Sequence, residues 1–267
     1  MKSLTKEEKI FQILRIACAM CFIGHGAFGI ITKPIWCNYF NVFGIGHDMS
    51  YRLMPIVGSI DIAFGLILLI SPIPAVAVWL VIWGLFTASL RPLSGEPFAE
   101  FIERAGNFGA PLALLIMTGG REAIKDWFKP FIINKWNNTI HHSLFNYLKI
   151  TVFLLLLGHG WLNLIEKKSL ITQYDHLGFN NPATIAQMIG MFEIIAAFTI
   201  LIRPIKILII SLFIWKISTE LFYPHYELFE FIERGGSYGA LLALWITIDK
   251  EKSWIKMHSL KWHKFVH

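Results

Sequence analysis

Long apolar stretches are the feature that most constrains what this chain can fold into. A helix needs about 20 apolar residues to cross the ~30 Å hydrocarbon core of a bilayer. The sequence offers eight candidate spans, at residues 10–31, 53–70, 73–90, 98–118, 145–165, 183–202, 205–222 and 228–248. Because 55% of the residues are hydrophobic and only 16% are charged, we predict an all-α polytopic membrane protein with eight transmembrane helices.

An internal repeat divides these spans into two halves. Residues 100–114 read EFIERAGNFGAPLAL, and residues 230–244 read EFIERGGSYGALLAL. Further matching positions are the Gly-His-Gly triplets at 24–26 and 158–160, the acidic residues Asp61 and Glu193, and the tryptophans Trp83 and Trp215. Each half has an even number of spans, so both halves share one orientation and their symmetry axis lies along the membrane normal. The sequence therefore predicts two parallel-repeat four-helix bundles.

The distribution of basic residues predicts further segments of the chain and its orientation in the membrane. Four segments are expected: a first membrane repeat at 1–120, an interfacial amphipathic linker at 121–144, a second membrane repeat at 145–248 and a basic tail at 249–267. Lys and Arg gather at the N-terminus, in the linker and in the tail, so the positive-inside rule places both termini in the cytoplasm. The net charge is +6, and the basic residues flank apolar spans. This arrangement favours an anionic lipid bilayer as partner over nucleic acid.

Ionisable residues inside the predicted spans are the candidate functional residues, because charges at membrane depth are expensive and usually functional. Helix positions i, i+3, i+4 and i+7 share one face, so each EFIER copy carries one polar stripe. The candidate ligand- or proton-binding residues are His25, Asp61, Glu96, Glu100, Glu103, Arg104 and Asn107 in the first half, and His159, Glu193, Glu227, Glu230, Glu233 and Arg234 in the second. Their similar depth predicts one pocket in each half, formed by His25, Asp61 and Glu100 in the first and by His159, Glu193 and Glu230 in the second.

The chemistry of these clusters leaves several interpretations open. Carboxylates in a low dielectric take up protons or acquire partners, and each cluster has more acidic groups than arginines, which argues for an additional proton or ligand. Alternatively, Glu and Arg neutralise each other and hold helices together. A divalent metal is a further alternative, although no tight spacing such as H-E-x-x-H occurs. The candidate metal ligands are His25, Asp61, Glu100, His159, Glu193 and Glu230.

The two halves differ near the start of the fourth predicted span. Arg91 of the first half has Tyr223 as its counterpart, and Leu93 has His225. Because Arg91 adds positive charge, we expect the first site to suit anionic or polar head groups. The second site, where His225 can be neutral, is expected to suit protons or cations.

A family resemblance rests on three short motifs and their second-half counterparts. They are the glycine-flanked His25, Gly58 and Asp61 followed by a turn at Pro72, and the glycine-rich residues 106–114. These features resemble the DoxX-like superfamily of four-helix membrane proteins, here as a tandem duplication covering nearly the whole chain. The resemblance implies a bacterial inner-membrane protein, in some cases a subunit of quinone-linked sulfur or thiol oxidation systems.

Three functions follow as hypotheses. The first is a membrane subunit, working with other membrane or periplasmic subunits, whose acid/His sites bind a quinone head group or conduct its protons. The second is a proton- or cation-coupled transporter of a small solute, for which twin intramembrane sites and internal duplication are typical. The third is a structural or assembly subunit. No Walker, Rossmann, haem-attachment or nucleophile-elbow motif occurs, so no self-contained catalytic site is predicted.

Overall fold

The computed structural model describes residues 4–118, 124–131, 137–221 and 227–248, and within these ranges the chain is helical without β-strands. The helices are α1 (Lys6–Ile30), α2 (Trp36–Asn41), α3 (His47–Ile70), α4 (Pro74–Leu93), α5 (Phe98–Glu103), α6 (Ala105–Met117), a 3-10 turn (Ile124–Phe128), α7 (Asn138–Leu164), α8 (Lys168–His176), α9 (Pro182–Ile202), α10 (Lys206–Glu220), α11 (Glu227–Glu233) and α12 (Gly235–Thr247). The predicted all-α fold is confirmed for these residues. The predicted tail at 249–267 lies outside them, as do residues 121–123 and 132–136 of the predicted linker at 121–144.

Five helices are long and apolar enough to cross a bilayer, namely α1, α3, α4, α7 and α9. The chain is therefore a helical membrane protein. The other three predicted spans are shorter as helices: α10 has 15 residues, against the ~20 that a simple crossing requires. The fourth and eighth predicted spans are each interrupted, at Arg104 and at Arg234.

Local sequence signals explain where the long helices begin and end. At the start of α1, Thr5 and Glu8 form a capping box that satisfies otherwise free backbone N–H groups. Asn137 caps α7 by accepting a hydrogen bond from the backbone N–H of Ile140 at 2.8 Å. Proline stands at the first position of α4 and of α9, where its missing N–H costs nothing.

The interruptions at Arg104 and Arg234 lie where two glycine-rich segments meet. A Cβ atom on Gly106 would come within 2.7 Å of the Ser237 backbone nitrogen, and one on Gly236 within 2.5 Å of the Gly106 carbonyl oxygen. Both distances are too short for any side chain, so glycine allows the backbones of α6 and α12 to touch. Each interruption therefore faces its counterpart from the other half of the chain.

The two halves of the sequence interlock in the structure. Helices α6 and α12 lie at the centre, where they contact each other, and both also contact α1 and α7. Helix α1 packs on α11 so closely that a Cβ on Gly24 would collide with the backbone of Glu233, and a Cβ on Gly158 in α7 would collide with the backbone of Glu103. One hydrophobic core runs through both halves; among its members are Leu14, Leu80, Leu114, Leu148 and Leu244.

Candidate functional site

A histidine–carboxylate pair forms the first part of the candidate site. His25 Nδ1 lies 2.7 Å from Asp61 Oδ2, joining α1 to α3. Asp61 is buried, whereas the His25 side chain keeps 16% of its surface exposed. Because Asp61 occupies Nδ1, the second ring nitrogen, Nε2, is the one left to meet a ligand.

The matching pair in the second half is sealed by its own neighbours. His159 Nδ1 lies 2.6 Å from Glu193 Oε2, and Asn163 Nδ2 lies 3.3 Å from the same carboxylate oxygen. The Tyr174 hydroxyl donates to Asn163 Oδ1 at 2.9 Å, and burial raises the pKa of this phenol, which keeps it a neutral donor. These side chains are all buried, so the second histidine is more enclosed by protein than the first.

The polar stripes pair across the two halves. Arg234 Nη1 donates a charge-assisted hydrogen bond to Glu103 Oε1 at 2.5 Å. Arg104 lies between Glu103 at 3.5 Å and Glu233 at 3.9 Å. Arg104 thus lies near carboxylates of both EFIER copies, and Arg234 bonds to a carboxylate of the first copy. The two stripes therefore form one buried cluster.

Two lysines complete this cluster at its edge. Lys33 Nζ contacts Glu230 Oε1 at 2.6 Å, and Lys167 forms an ion pair with Glu100. The residue before each lysine, Thr32 or Glu166, has a φ of 54°, a conformation that is uncommon for any residue except glycine. The chain therefore turns sharply at equivalent places after α1 and after α7, where each lysine meets the other half.

The ion-pair network balances its own charge. Among the described residues, six cations meet six carboxylates: Lys33, Arg91, Arg104, Lys167, Lys216 and Arg234 against Glu96, Glu100, Glu103, Glu220, Glu230 and Glu233. Within this network the excess of acid expected from the sequence is absent, because four basic side chains outside the EFIER copies neutralise it; Asp61 and Glu193 lie outside the network, each paired with a histidine. The network connects helices without requiring an additional charge.

A cavity of about 130 Å³ opens beside His25. Its apolar lining comes from Trp36, Tyr39, Phe40, Phe43, Ile45, Val57, Trp83, Phe86 and Leu90, and its polar lining from His25, Thr87, Arg91, Arg104, Asn107 and Glu233. Trp36 lies against the His25 ring with 4.7 Å between centroids, and Trp83 stacks on Phe86 at 5.4 Å. The cavity thus combines aromatic walls with a few polar side chains, as in sites for small organic ligands.

Comparisons with known proteins do not assign this chain to a family. No family model, curated protein or solved structure matches this chain. Any functional conclusion therefore depends on the geometry and chemistry of the site itself.

The structure distributes the predicted site residues over two places. It brings His25, Arg104 and Asn107 to the cavity together with Glu233 from the second half. Glu100 instead meets Arg91 at 3.3 Å and Lys167, and Glu230 meets Lys33, so neither carboxylate pairs with a histidine. Glu96 accepts a hydrogen bond from the Tyr39 hydroxyl at 2.6 Å. The side chain of Glu227, with Tyr223 and His225, lies outside the described residues.

Several important residues were not identified from the sequence. The aromatic residues of α2 lie in a stretch predicted only as a loop, and Lys216 with Glu220 has no charged counterpart in the first half. A signal did exist for the lysines, since Lys33 and Lys167 each follow their histidine by eight residues. For a metal the geometry offers little: the described residues hold no cluster of three or more His, Cys, Asp or Glu side chains that could bind an ion.

Proposed function

We propose that the protein is an integral membrane subunit of a quinone-linked redox or proton-handling complex, with its ligand site at His25. The observation that carries this proposal is the cavity that places aromatic rings and the His25–Asp61 pair around one space. The ion-pair network is assigned a structural role, because its charges balance among themselves. This proposal agrees with the resemblance to the DoxX-like superfamily, which includes bacterial inner-membrane subunits.

The dimensions of the cavity suit a single six-membered ring. An engineered protein cavity of roughly 150 Å³ takes up benzene, so a space of about 130 Å³ fits a quinone head group and excludes its apolar tail, which stays among lipids. Flat rings stack favourably on aromatic walls such as Trp83 and Phe86. His25, Arg104 and Asn107 provide hydrogen-bond donors for the carbonyl oxygens.

Proton transfer is the chemistry that the residues of this chain supply. Asp61 holds His25 through Nδ1, which leaves Nε2 as the ring nitrogen that donates a proton to a ligand or accepts one from it. A quinone takes up protons together with electrons when it is reduced. Since the sequence has no recognised motif for an electron carrier, the electrons are assigned to a partner subunit in the membrane or periplasm.

His25→Ala is expected to weaken the binding of duroquinone, a tetramethylated benzoquinone probe, by about tenfold, because the hydrogen bond between the imidazole and the probe is lost. Isothermal titration calorimetry on the purified protein in detergent micelles measures the change. His159→Ala is the matched control, since His159 is buried behind Asn163 and Tyr174, and it should bind the probe as the wild type does. Equal losses in both variants, or no loss in either, would contradict a site at His25.

The membrane arrangement proposed here has eight crossings in two parallel repeats with both termini in the cytoplasm. Reciprocal contacts at matching positions support it: Gly24 touches Glu233 as Gly158 touches Glu103, and Lys33 pairs with Glu230 as Lys167 pairs with Glu100. The interrupted pairs α5–α6 and α11–α12 would each cross as one broken span. Broken helices are tolerated in membranes where protein buries the interruption.

Cysteines introduced by Lys129→Cys and Lys168→Cys are expected to react with a membrane-impermeant maleimide from opposite sides of the membrane, because α7 lies between them and crosses once in the proposed arrangement. The native Cys18, Cys21 and Cys37 are buried, so they contribute little background. Labelling is compared between intact cells and inverted vesicles. Reaction of both cysteines from the same side would contradict the eight-crossing arrangement.

A second candidate function is transport of a small solute coupled to protons or cations. The interruptions at Arg104 and Arg234 favour it, because discontinuous helices near the membrane centre are typical of transporters. Reconstituted vesicles that take up a solute only under an imposed proton or sodium gradient would support transport. Duroquinone binding without any gradient-driven uptake would support the redox subunit.

A further inference from the structure

Arg15 is a cation within the membrane helix α1 that no carboxylate of the described chain neutralises. Helix α1 begins at Lys6, so Arg15 lies about 14 Å along its axis at a rise of ~1.5 Å per residue. Its side chain is half-buried, and among the residues that the structure describes none forms a hydrogen bond or an ion pair with it. Charges at membrane depth are expensive and usually have a partner, so an anion from outside the chain is the group that this position calls for.

The equivalent cation of the second half is satisfied by its own chain. The Gly-His-Gly triplets align Arg15 with Lys149. Lys149 Nζ donates to the Leu201 carbonyl oxygen at the end of α9, at 3.2 Å, and lies 5.4 Å from the centre of the Phe145 ring. The repeat thus places one cation in each half, and contacts within the chain account for the second cation but not for the first.

The packing of α1 on α3 places Arg15 near the end of α3. A Cβ on Gly65 would approach the Ile23 side chain at 2.8 Å and the Ala19 carbonyl oxygen at 3.1 Å. Because the two helices are antiparallel, one further turn toward the start of α1 brings Arg15 to the level of Leu69, in the last turn of α3. Leu69 aligns with the lysine's acceptor in the second half, so the two cations lie at equivalent places.

The surroundings of Arg15 combine lipid-facing surface with access to the membrane surface. Ile16 is 46% exposed and Ile70, at the end of α3, is 81% exposed; in a membrane helix such apolar side chains contact acyl chains. Side chains of a helix lean toward its N-terminus, so Arg15 points toward the membrane surface at which α1 begins. A long basic side chain can keep its head group near the phosphates in this way.

We propose that Arg15 binds the head-group phosphate of one anionic phospholipid, whose acyl chains lie along Ile16 and Ile70. A guanidinium presents several N–H donors in a geometry that phosphate oxygens accept well. An anionic lipid is preferred over a zwitterionic one because its net charge neutralises the arginine, whereas the cationic group of choline opposes it. The lipid site is separate from the cavity at His25, and it does not depend on the function proposed for that cavity.

Native mass spectrometry of the detergent-solubilised protein, titrated with phosphatidylglycerol or with phosphatidylcholine of the same acyl chains, tests this site. Arg15→Gln is expected to weaken the binding of the first phosphatidylglycerol by about five- to tenfold, because a charge-assisted contact is lost. Lys149→Gln removes the same charge from a position already bonded within the chain, so it should bind as the wild type does. For phosphatidylcholine, Arg15→Gln should differ from the wild type by less than about twofold.

Thermal unfolding in detergent without added lipid gives a second readout. Arg15→Gln should unfold at the temperature of the wild type or above it, because a half-buried charge without a partner is removed. Lys149→Gln should unfold at a lower temperature, because the Leu201 carbonyl oxygen loses its donor. A lower unfolding temperature for Arg15→Gln would show that the arginine stabilises the chain itself, which would overturn the proposal.

The lipid titration has three further outcomes that would overturn the proposal. Unchanged phosphatidylglycerol affinity in Arg15→Gln would refute a lipid contact at this residue. Equal losses in Arg15→Gln and Lys149→Gln would mean that only the overall charge of the protein attracts the lipid. Equal affinity of the wild type for both lipids would refute the preference for an anionic one. An excess of inorganic phosphate should leave the bound lipid in place, and displacement would identify free phosphate as the ligand instead.

Discussion

Gly24→Leu prevents the chain from forming a stable folded protein. The Cβ of any side chain at this position would overlap the backbone nitrogen and Cα of Glu233, and a backbone cannot swing aside as a flexible side chain does. Overpacking a well-filled core costs about 1–3 kcal/mol when neighbouring side chains can adjust, and more is expected here. Whole proteins have only ~5–15 kcal/mol of stability, and α1 would have to leave α11 to make room.

The expected result is loss of the monodisperse peak in size-exclusion chromatography and loss of the cooperative thermal transition in detergent. Gly46→Leu is the control, since no atom lies within 4 Å of a Cβ placed there, and it should behave as the wild type does. Gly158→Leu should fail in the same way as Gly24→Leu, because its Cβ would meet the backbone of Glu103. A well-folded Gly24→Leu protein would contradict the close contact between α1 and α11.

Much of the helical layout could be predicted from the sequence because it depends on local composition. Apolar runs set the five long helices, and the proline turns around Pro74 and Pro204 separate neighbouring helices. The interruptions inside the fourth and eighth predicted spans were harder to foresee. The EFIER stripes run directly into apolar segments, so no local signal marks Arg104 as the end of a helix. The contact between Gly106 and Gly236, which lies beside the interruption, is visible only in the structure.

The partners of the polar stripes were not predictable. Because the motif is repeated, a glutamate could pair with the arginine of its own copy or with that of the other copy, and the sequence is equally consistent with either. Glu103 lies next to Arg104 in the chain, yet its shortest bond is to Arg234 of the other copy. The packing of Gly24 against Glu233 and of Gly158 against Glu103 decides which of the two arginines is the partner. The predicted meeting of His25 with Asp61 relied on one helix pair, α1 with α3, and the structure shows this contact at 2.7 Å.

The cavity was not predictable for a different reason. Its walls come from six helices, including the short α2, whose aromatic residues carry no helical periodicity long enough to recognise. Trp83 was visible in the sequence as a repeated tryptophan, but a tryptophan at helical spacing usually packs the bundle. Its place in the cavity wall depends on every neighbouring side chain at once.

Breaking the bond between Arg234 and Glu103 should be far more damaging than removing both groups. Glu103→Leu leaves the Arg234 guanidinium buried with only Glu220 at 3.7 Å, and Arg234→Met leaves the Glu103 carboxylate with Arg104 at 3.5 Å. Removing one partner of a buried pair typically costs about 3–5 kcal/mol, whereas replacing both by apolar groups is often nearly neutral. The double variant keeps the network balanced, since one cation and one carboxylate are lost together.

Chemical unfolding in mixed micelles measures the four free energies of this cycle. The two single variants should each lose about 3 kcal/mol or more, and the double variant should lose clearly less than either of them. Lys129 and Asp126 form the control pair: their 2.7 Å contact is solvent-exposed, and its cycle should give less than about 1 kcal/mol. Additive losses for Glu103 and Arg234 would contradict a direct bond between the halves. That result would also remove the reason for assigning the ion-pair network a structural role, and would return its carboxylates to the candidate proton sites.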